Sequence, residues 1–311
     1  MPRVSVVIPN YNHARFLDER IRSILEQDYR DCEILILDDF SEDESREILG
    51  RYQRDFPQIK IHFNTANSGS PFRQWNLGVE MTSGEFIWIA ESDDFAHRCF
   101  LSETVSILER NPKVGLVFTR SFMVDEYGRS TGIYGSYRPC DHNYVVPGRQ
   151  EIADYLCGCS AINNVSGVLF RRSAYIHAGM ADPSMRFCGD WDLYLKILLI
   201  ADVAHVIRPL NYCRVHSGSS SREYFRDARY FDEVLSVYEF VKRSSALPHY
   251  MKKRIAHQCA GFLARALVRG SLPPLRLFRR INRLDVRFGV NAAAFLLAKA
   301  KSYYNLYRKG C

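Results

Sequence analysis

Two hydrophobic rhythms alternate over the first 120 residues. Val4-Ser5-Val6-Val7-Ile8 is a short run rich in β-branched residues, the pattern of a strand covered on both faces. Pro9-Asn10-Tyr11-Asn12 stops it. Leu17, Ile21, Ile24 and Leu25 then recur at helical spacing and predict a helix with one apolar stripe. Glu33 to Leu37 is a second buried strand ending in Asp38-Asp39, and Ser41 with Glu44 predicts a capping box that opens a helix through Leu49. Lys60–Asn64, Glu85–Ala90 and Val114–Thr119 predict further strands, with helices at about Gln74–Met81 and Leu101–Arg110 between them.

The rhythm changes after about residue 120. Gly and Tyr are dense from Tyr127 to Gly148, which predicts a long loop or hairpin region. Ser166–Arg171 reads as a strand, Asp190–Ile200 as a helix entered through acids, and Val203–Ile207 as a short strand. Tyr212-Cys213-Arg214-Val215-His216 leads into a loop, Ser217 to Ser221. Beyond Arg222 the pattern is helical and basic, with a break at Pro273-Pro274.

Strands alternating with helices predict an α/β fold with a parallel sheet. Ligands of such sheets bind beyond the carboxyl ends of the strands. Two of the predicted ends carry adjacent acids: Asp38-Asp39 after the second strand and Asp93-Asp94 after the fourth.

Each acidic point has a functional and a plain reading. Glu91-Ser92-Asp93-Asp94 places three acids in four residues, a cluster that repels itself unless a cation or hydrogen-bond donors neutralise it. Mg²⁺ or Mn²⁺ presenting a diphosphate is one reading; acids complementing a helix N-terminus is the other. Asp38-Asp39 suits a nucleotide's base or ribose, or an Asx-type cap. Asp190, in Gly189-Asp190-Trp191-Asp192, is free in sequence from the metal cluster, as a general base must be, and is equally placed to cap a helix. A lone histidine such as His216 is more often structural than a ligand.

Composition narrows the classes. The 311 residues are 47% hydrophobic and 25% charged, a globular composition that excludes a disordered tail, a collagen-like chain and a disulfide-stapled module. Nine cysteines without paired spacing argue for free thiols in a reducing, cytoplasmic setting, and Cys157-Gly158-Cys159 lacks the second pair a metal site needs. No signal peptide or membrane-spanning run is evident. The glycine fingerprints of dinucleotide-binding and P-loop proteins are absent, against a dehydrogenase or a P-loop enzyme.

Charge is unevenly placed. From Val241 to Cys311 there are 16 Lys/Arg and one acid, a net of +15, so the other 240 residues carry 26 bases and 34 acids, a net of −8. Leu275, Leu277, Phe278, Ile281 and Leu284 form a stripe among Arg276, Arg279, Arg280, Arg283 and Arg287. A basic amphipathic helix of this kind predicts an anionic membrane surface as partner, ahead of nucleic acid; a helical cap docked on the body, its charges solvated, is the other reading.

Taken together, the Val4–Asn12 segment, the Ile34–Asp39 strand, Glu85–Asp94, Gly189–Leu193 and Tyr212–Ser221 resemble the family 2 glycosyltransferases over about residues 3 to 220. The resemblance implies a GT-A nucleotide-diphospho-sugar fold, with residues 1–221 as catalytic domain and 222–311 as a helical basic C-terminal extension. It implies that Pro9, Tyr11 and Asp39 hold the nucleobase, that Asp93 meets the ribose or the metal, that Asp94 and His216 complete a Mn²⁺ or Mg²⁺ site, and that Asp190 is the catalytic base. Arg73, Gln74 and Trp75 are donor-site wall residues on this reading. The implied activity is inverting transfer of a hexosyl or N-acetylhexosaminyl group from a nucleotide sugar, with UDP favoured, to a surface glycan or lipid-linked acceptor at the inner face of the cell membrane. A silent nucleotide-sugar binding module and, further off, a nucleic-acid-binding protein are the alternatives. Three positions depart from the family pattern: Glu91 stands where an aspartate is usual, Gly189 where a glutamate is frequent, and Trp75 where an arginine is frequent.

Overall fold

A computed structural model describes residues 2–134, 140–156, 160–219, 228–244 and 280. Four βα steps open the chain. They are β1 (Val4–Asn10), α1 (Ala14–Leu25), β2 (Cys32–Asp38), α2 (Ser45–Asp55), β3 (Ile59–Phe63), α3 (Pro71–Glu80), β4 (Phe86–Ile89), the two-residue β5 (Phe95–Ala96) and α4 (Phe100–Arg110). The second half holds β6 (Val114–Val124), β7 (Ser130–Tyr134), β8 (Tyr144–Val146), a single turn α5 (Gly148–Glu151), β9 (Val168–Arg171), α6 (Arg172–His177), α7 (Gly189–Ile200), β10 (Asp202–Arg214) and α8 (Ala228–Ser244).

The strands form one sheet in the order β3-β2-β1-β4-β9-β6-β10-β5, with β7 beside β6 and β8 beside β10. β1 to β4 run parallel, and β9 enters antiparallel between β4 and β6, so that β6 and β10 again share the direction of β1. The sheet is mostly parallel and carries helices on its faces, as the alternation predicts.

Every residue of β1 is buried, which accounts for its unbroken apolar run. Pro9 is tolerated there because its missing N–H falls on the flank facing β4, and pairing with β4 ends at Val7. Leu17, Ile21 and Ile24 of α1 join Ile36, Leu49, Trp88 and Phe100 in the main core cluster, each worth about 1.5–3 kcal/mol when fully buried. α3 lies directly on β1 at Gly78, where a Cβ would overlap Val7. α7 carries apolar residues nearly all round and is correspondingly buried, from Trp191 to Leu198.

Three expectations are corrected. No capping box forms at Ser41: α2 starts later, at Ser45, whose N–H donates to Asp43, while Ser41 Oγ accepts from Asn12 N–H and Asn10 Nδ2. The strand at Val114 runs on to Val124. The short strand at Val203 is a thirteen-residue strand, because bulges at Pro209 let β10 stay paired with β6 across the proline. Tyr212–Arg214 therefore lies on a strand.

Two compact units emerge: residues 1–151 with 161–217, and residues 152–160 with 218–311. In the second, Arg280 forks onto Glu239 (2.9 Å to each oxygen) and bonds Asp232 Oδ1 (3.1 Å) of α8. The rest of the predicted basic stripe, Cys157 and Cys159 lie outside the described residues. Among the described residues no helix is long and apolar enough to cross a membrane.

Candidate active site

The site is built where β1, β2, β4 and β10 end. The first two βα loops are laced together: Glu42 N–H donates to Asn12 Oδ1 (2.8 Å), Ala14 N–H to Asp43 Oδ2 (2.9 Å), and Asn10 Nδ2 to Asp38 Oδ1 (3.0 Å). Asn12 adopts φ 55°, a left-handed conformation that Asn accepts more readily than most residues. This lacing leaves Tyr11 at the rim, 46% exposed.

The two acids after β2 have different occupations. Asp38 is fully buried and accepts from Asn10, from Ser41 N–H and from Arg46 Nε (3.1 Å each for the last two). It is the loop's Asx-type cap. Asp39 faces the other way: Oδ1 accepts from Asn64 Nδ2 (2.6 Å), Ser68 N–H (2.9 Å) and Gln74 Nε2 (3.0 Å), and Oδ2 from Ser68 Oγ (2.7 Å). With two lone-pair sites per oxygen, Oδ2 keeps capacity for one more donor.

α3 supplies the wall beside it. Gln74 and Trp75 are buried on its inner face, whereas Arg73 points outward and is exposed. Trp75 Nε1 donates to Glu91 Oε1 at 2.6 Å. Burial pushes the Glu91 carboxyl up to about 8, with the Asp93 charge adding to the effect.

After β4 the chain makes a turn from Glu91 to Asp94, closed by Asp94 N–H to the Glu91 carbonyl (3.2 Å), before β5 and well before α4. These acids are therefore not a helix N-terminus. Two guanidiniums hold the turn: Arg20 Nε donates to the Glu91 carbonyl (2.9 Å) and Arg214 Nε to the Asp93 carbonyl (2.8 Å).

Asp93 and Asp94 then diverge. Asp93 Oδ2 meets His216 Nε2 at 3.1 Å, and one donor atom from each of His13, Asp93 and His216 lies within 4.8 Å of the others. Burial works to raise the Asp93 carboxyl, but the hydrogen bond from His216 and the proximity of both imidazoles outweigh it and hold the carboxyl below its usual range. Burial lowers His13, which favours the neutral imidazole a metal requires. His13 Nδ1 lies 2.8 Å from Ser92 Oγ, a contact that leaves Nε2 as its ligand atom. Asp94 stands outside this trio. It is 3% exposed and accepts from Asn164 Nδ2 (2.9 Å) and Arg214 N–H (2.8 Å), and burial followed by the neighbouring Asp93 charge pushes it up to about 6.

Asp190 sits in the first turn of α7, after Cys188 at the N-cap, and Trp191 N–H contacts its Oδ1 at 2.7 Å. Asp192 is buried and pairs with Lys196 one turn on. The α7 N-terminus meets α3: Gly189 abuts Phe72, and Phe72 lies edge-on to Trp75 with centroids 4.8 Å apart. Gly189, the residue before Asp190, is thus linked to Glu91 through these two rings. Sequence reasoning missed His13, Arg20, Asn164 and the double duty of Arg214. Arg20 was signalled by a charge three residues after Leu17 on the apolar face of α1, and His13 by its place one residue after the Pro9–Asn12 break.

The chain is 35% identical over 94 residues to the GalNAc(5)-diNAcBac-PP-undecaprenol beta-1,3-glucosyltransferase of Campylobacter jejuni, 30% of this chain and 30% of that one. The match therefore spans less than a third of that relative's length. The fold is similar to Staphylococcus aureus TarS 1-349 in complex with UDP-GlcNAc, with TM-score 0.69 and 16% identity over 99% of this chain and 92% of that one. It is also similar to a Pyrobaculum calidifontis mannosyltransferase in complex with GDP-Man and Mn²⁺, with TM-score 0.56 and 20% identity over 99% and 88%. These likenesses establish the fold as GT-A. Residues 5–176, more than half of the chain, match the model for Glycosyl transferase family 2, and the chain belongs to that family.

Proposed function

We propose that the chain is an inverting, cation-assisted glycosyltransferase that moves a hexosyl or N-acetylhexosaminyl group from a nucleoside diphosphate, UDP by preference, to a surface glycan or its lipid-linked precursor. The observation that carries the proposal is the divergence of Asp93 and Asp94: one carboxylate joins two imidazoles, and its neighbour is spent on the protein's own amides.

The donor set fits a cation. Two imidazoles and one carboxylate suit Mn²⁺ better than Mg²⁺, which prefers all-oxygen surroundings. A bound divalent ion would offset charge on the departing diphosphate. The residues divide the remaining work. Asp39 Oδ2 accepts an N–H of the base, with Gln74 fixing the carboxylate from behind. Tyr11 offers its exposed ring to the base face, and Pro9, buried in β1, contributes only the backbone end on which Tyr11 is carried. Asp190 takes the proton from the acceptor hydroxyl as it attacks the anomeric carbon. Asp94 serves as an inner strut, a role that replaces its expected metal contact.

Two relatives support the donor and acceptor classes: one is named for an undecaprenol-diphosphate acceptor, and a structural neighbour was crystallised with UDP-GlcNAc. The +15 segment from Val241 to Cys311 supports peripheral attachment to an anionic inner leaflet, where each basic residue is worth about 1 kcal/mol.

A thermal-shift screen of nucleotide sugars with and without Mn²⁺ tests the proposal. Stabilisation by one UDP-sugar that requires Mn²⁺ supports it; no response to any nucleotide sugar, with or without the ion, contradicts it.

A further inference from the structure

The Glu91–Asp94 turn is gripped by its main chain from two sides. Arg20 belongs to α1 and is 0% exposed; Arg214 ends β10 and is 4% exposed. Their Nε–H groups reach carbonyls two residues apart, those of Glu91 and Asp93. Each guanidinium is itself fixed by aromatic rings. Arg20 lies over Trp88 (5.1 Å to the centroid), and Arg214 over Phe16 (4.8 Å) and Phe95 (5.3 Å). Arg214 also reaches the carbonyls of Asp125 and Glu126 and pairs with Glu19. The Arg20 side chain makes no further hydrogen bond among the described residues: both of its Nη atoms are buried without a partner.

Burying two guanidiniums is expensive unless the surroundings hold opposite charge in good geometry. Here three carboxyls lie beside them, yet neither arginine forks onto one of those three. A device meant only to neutralise acids would use the bidentate carboxylate pairing that Arg favours. The bonds made instead, to main-chain oxygens, fix where the peptide planes lie. The orientation of Asp93 and Asp94 follows from those planes.

We propose that Arg20 and Arg214 are positioning residues, a pair of guanidinium brackets that set the turn so that Asp93 faces His13 and His216 while Asp94 faces Asn164. The inference rests in part on the cation reading given above. Its core, the hold on the turn, does not.

The test has two readouts on the full-length chain. Hydrogen exchange of the peptide spanning residues 88–96 reports the hold on the turn, and titration with Mn²⁺ alone reports the geometry of the trio. Arg20→Met keeps the bulk over Trp88 and removes the donor; Arg20→Lys keeps the charge but loses the planar N–H. Glu19→Gln releases Arg214 from a half-exposed partner without disturbing the core, and guards against a core variant that fails to fold.

In Arg20→Met and Arg20→Lys the 88–96 peptide exchanges faster while the strands β1 and β2 keep wild-type protection. Mn²⁺ affinity falls about 10- to 100-fold, the range for groups that orient metal ligands. Glu19→Gln weakens it about two- to fivefold. At saturating Mn²⁺ the donor KM rises more than kcat falls. Wild-type exchange of the 88–96 peptide in folded Arg20→Met and Glu19→Gln overturns the proposal, as does rescue by Arg20→Lys of both readouts, which would reduce Arg20 to a counter-charge. A wild-type chain that binds no Mn²⁺ defeats the cation reading, and the exchange readout still decides for or against the brackets.

Discussion

The ring of Phe72 occupies the space that a side chain at residue 189 would need. A Cβ on Gly189 would fall 2.6 Å from both Cε2 and Cζ of that ring. Phe72 in turn lies edge-on to Trp75, and Trp75 donates to Glu91. The three departures from the family pattern, Gly189, Trp75 and Glu91, are thus one contiguous set joined by Phe72. The absence of a glutamate at 189 leaves no open space there; an aromatic pair fills it.

Gly189→Ala is accordingly destabilising although alanine is the better helix former. Overpacking of this kind costs about 1–3 kcal/mol, against roughly 1 kcal/mol gained from helix propensity. Urea denaturation measures the balance. Combined with Phe72→Leu, the loss is smaller than the sum of the two single losses; strict additivity would show that the contact is not felt.

His13→Ala removes one imidazole from the trio and leaves the fold intact, since His13 lies at the start of α1 outside the main core cluster. Mn²⁺ affinity falls by about tenfold or more, read by the electron-spin signal of free Mn²⁺. Asp94→Asn acts differently. It disturbs Asn164 and the Arg214 amide, so thermal stability drops along with activity, whereas His13→Ala costs metal affinity at nearly unchanged melting temperature.

Acid sensitivity has an identifiable contributor in Glu33. Partial burial works to raise this carboxyl, but the bonds from Ser83 N–H, Ser5 Oγ and Lys60 Nζ outweigh burial and lower it. A folded-state pKa below the unfolded value of about 4.3 gives stability that is present above that value and lost as pH falls through the lowered one. Glu33→Gln therefore lowers stability at neutral pH and flattens the acid limb of the stability–pH curve. An unchanged acid limb in the variant would remove Glu33 from the account.

Attachment through the basic segment predicts that the full chain co-sediments with phosphatidylcholine vesicles only when phosphatidylglycerol is included, and is released by high salt. Within that segment the charge of Arg280 is already held by Glu239 and Asp232. Arg280→Ala should destabilise α8 with little effect on sedimentation, and a large loss of vesicle binding in that variant would contradict this division.

Much of the fold was legible because burial on both faces writes itself as uninterrupted apolar runs: Val4–Ile8, Ile34–Leu37 and Phe86–Ile89 all lie in the sheet where the periodicity puts them. The length of β10 was hidden by Pro209, which reads as an end but is absorbed by bulges. Within the site, acids stood out by type and position at strand ends. What each acid does was not legible, because it depends on partners remote in sequence. Asp38 and Asp39 differ by which faces Asn10 and which faces Ser68 and Gln74; Asp93 and Asp94 differ by His216 and Asn164. Arg20 was obscured by the apolar stripe around it, which masks a buried guanidinium that, among the described residues, bonds a main-chain oxygen and no side chain.

The most direct measurement of the central claim is UDP release from UDP-sugars by the wild-type chain and by Asp190→Asn, with Mn²⁺ and after its removal by chelation. The account predicts Mn²⁺-dependent release from at least one UDP-sugar, a fall of about 10²- to 10⁴-fold in Asp190→Asn, and undiminished donor binding by that variant in thermal shift. Equal turnover by Asp190→Asn and the wild type, or turnover indifferent to Mn²⁺, would contradict it.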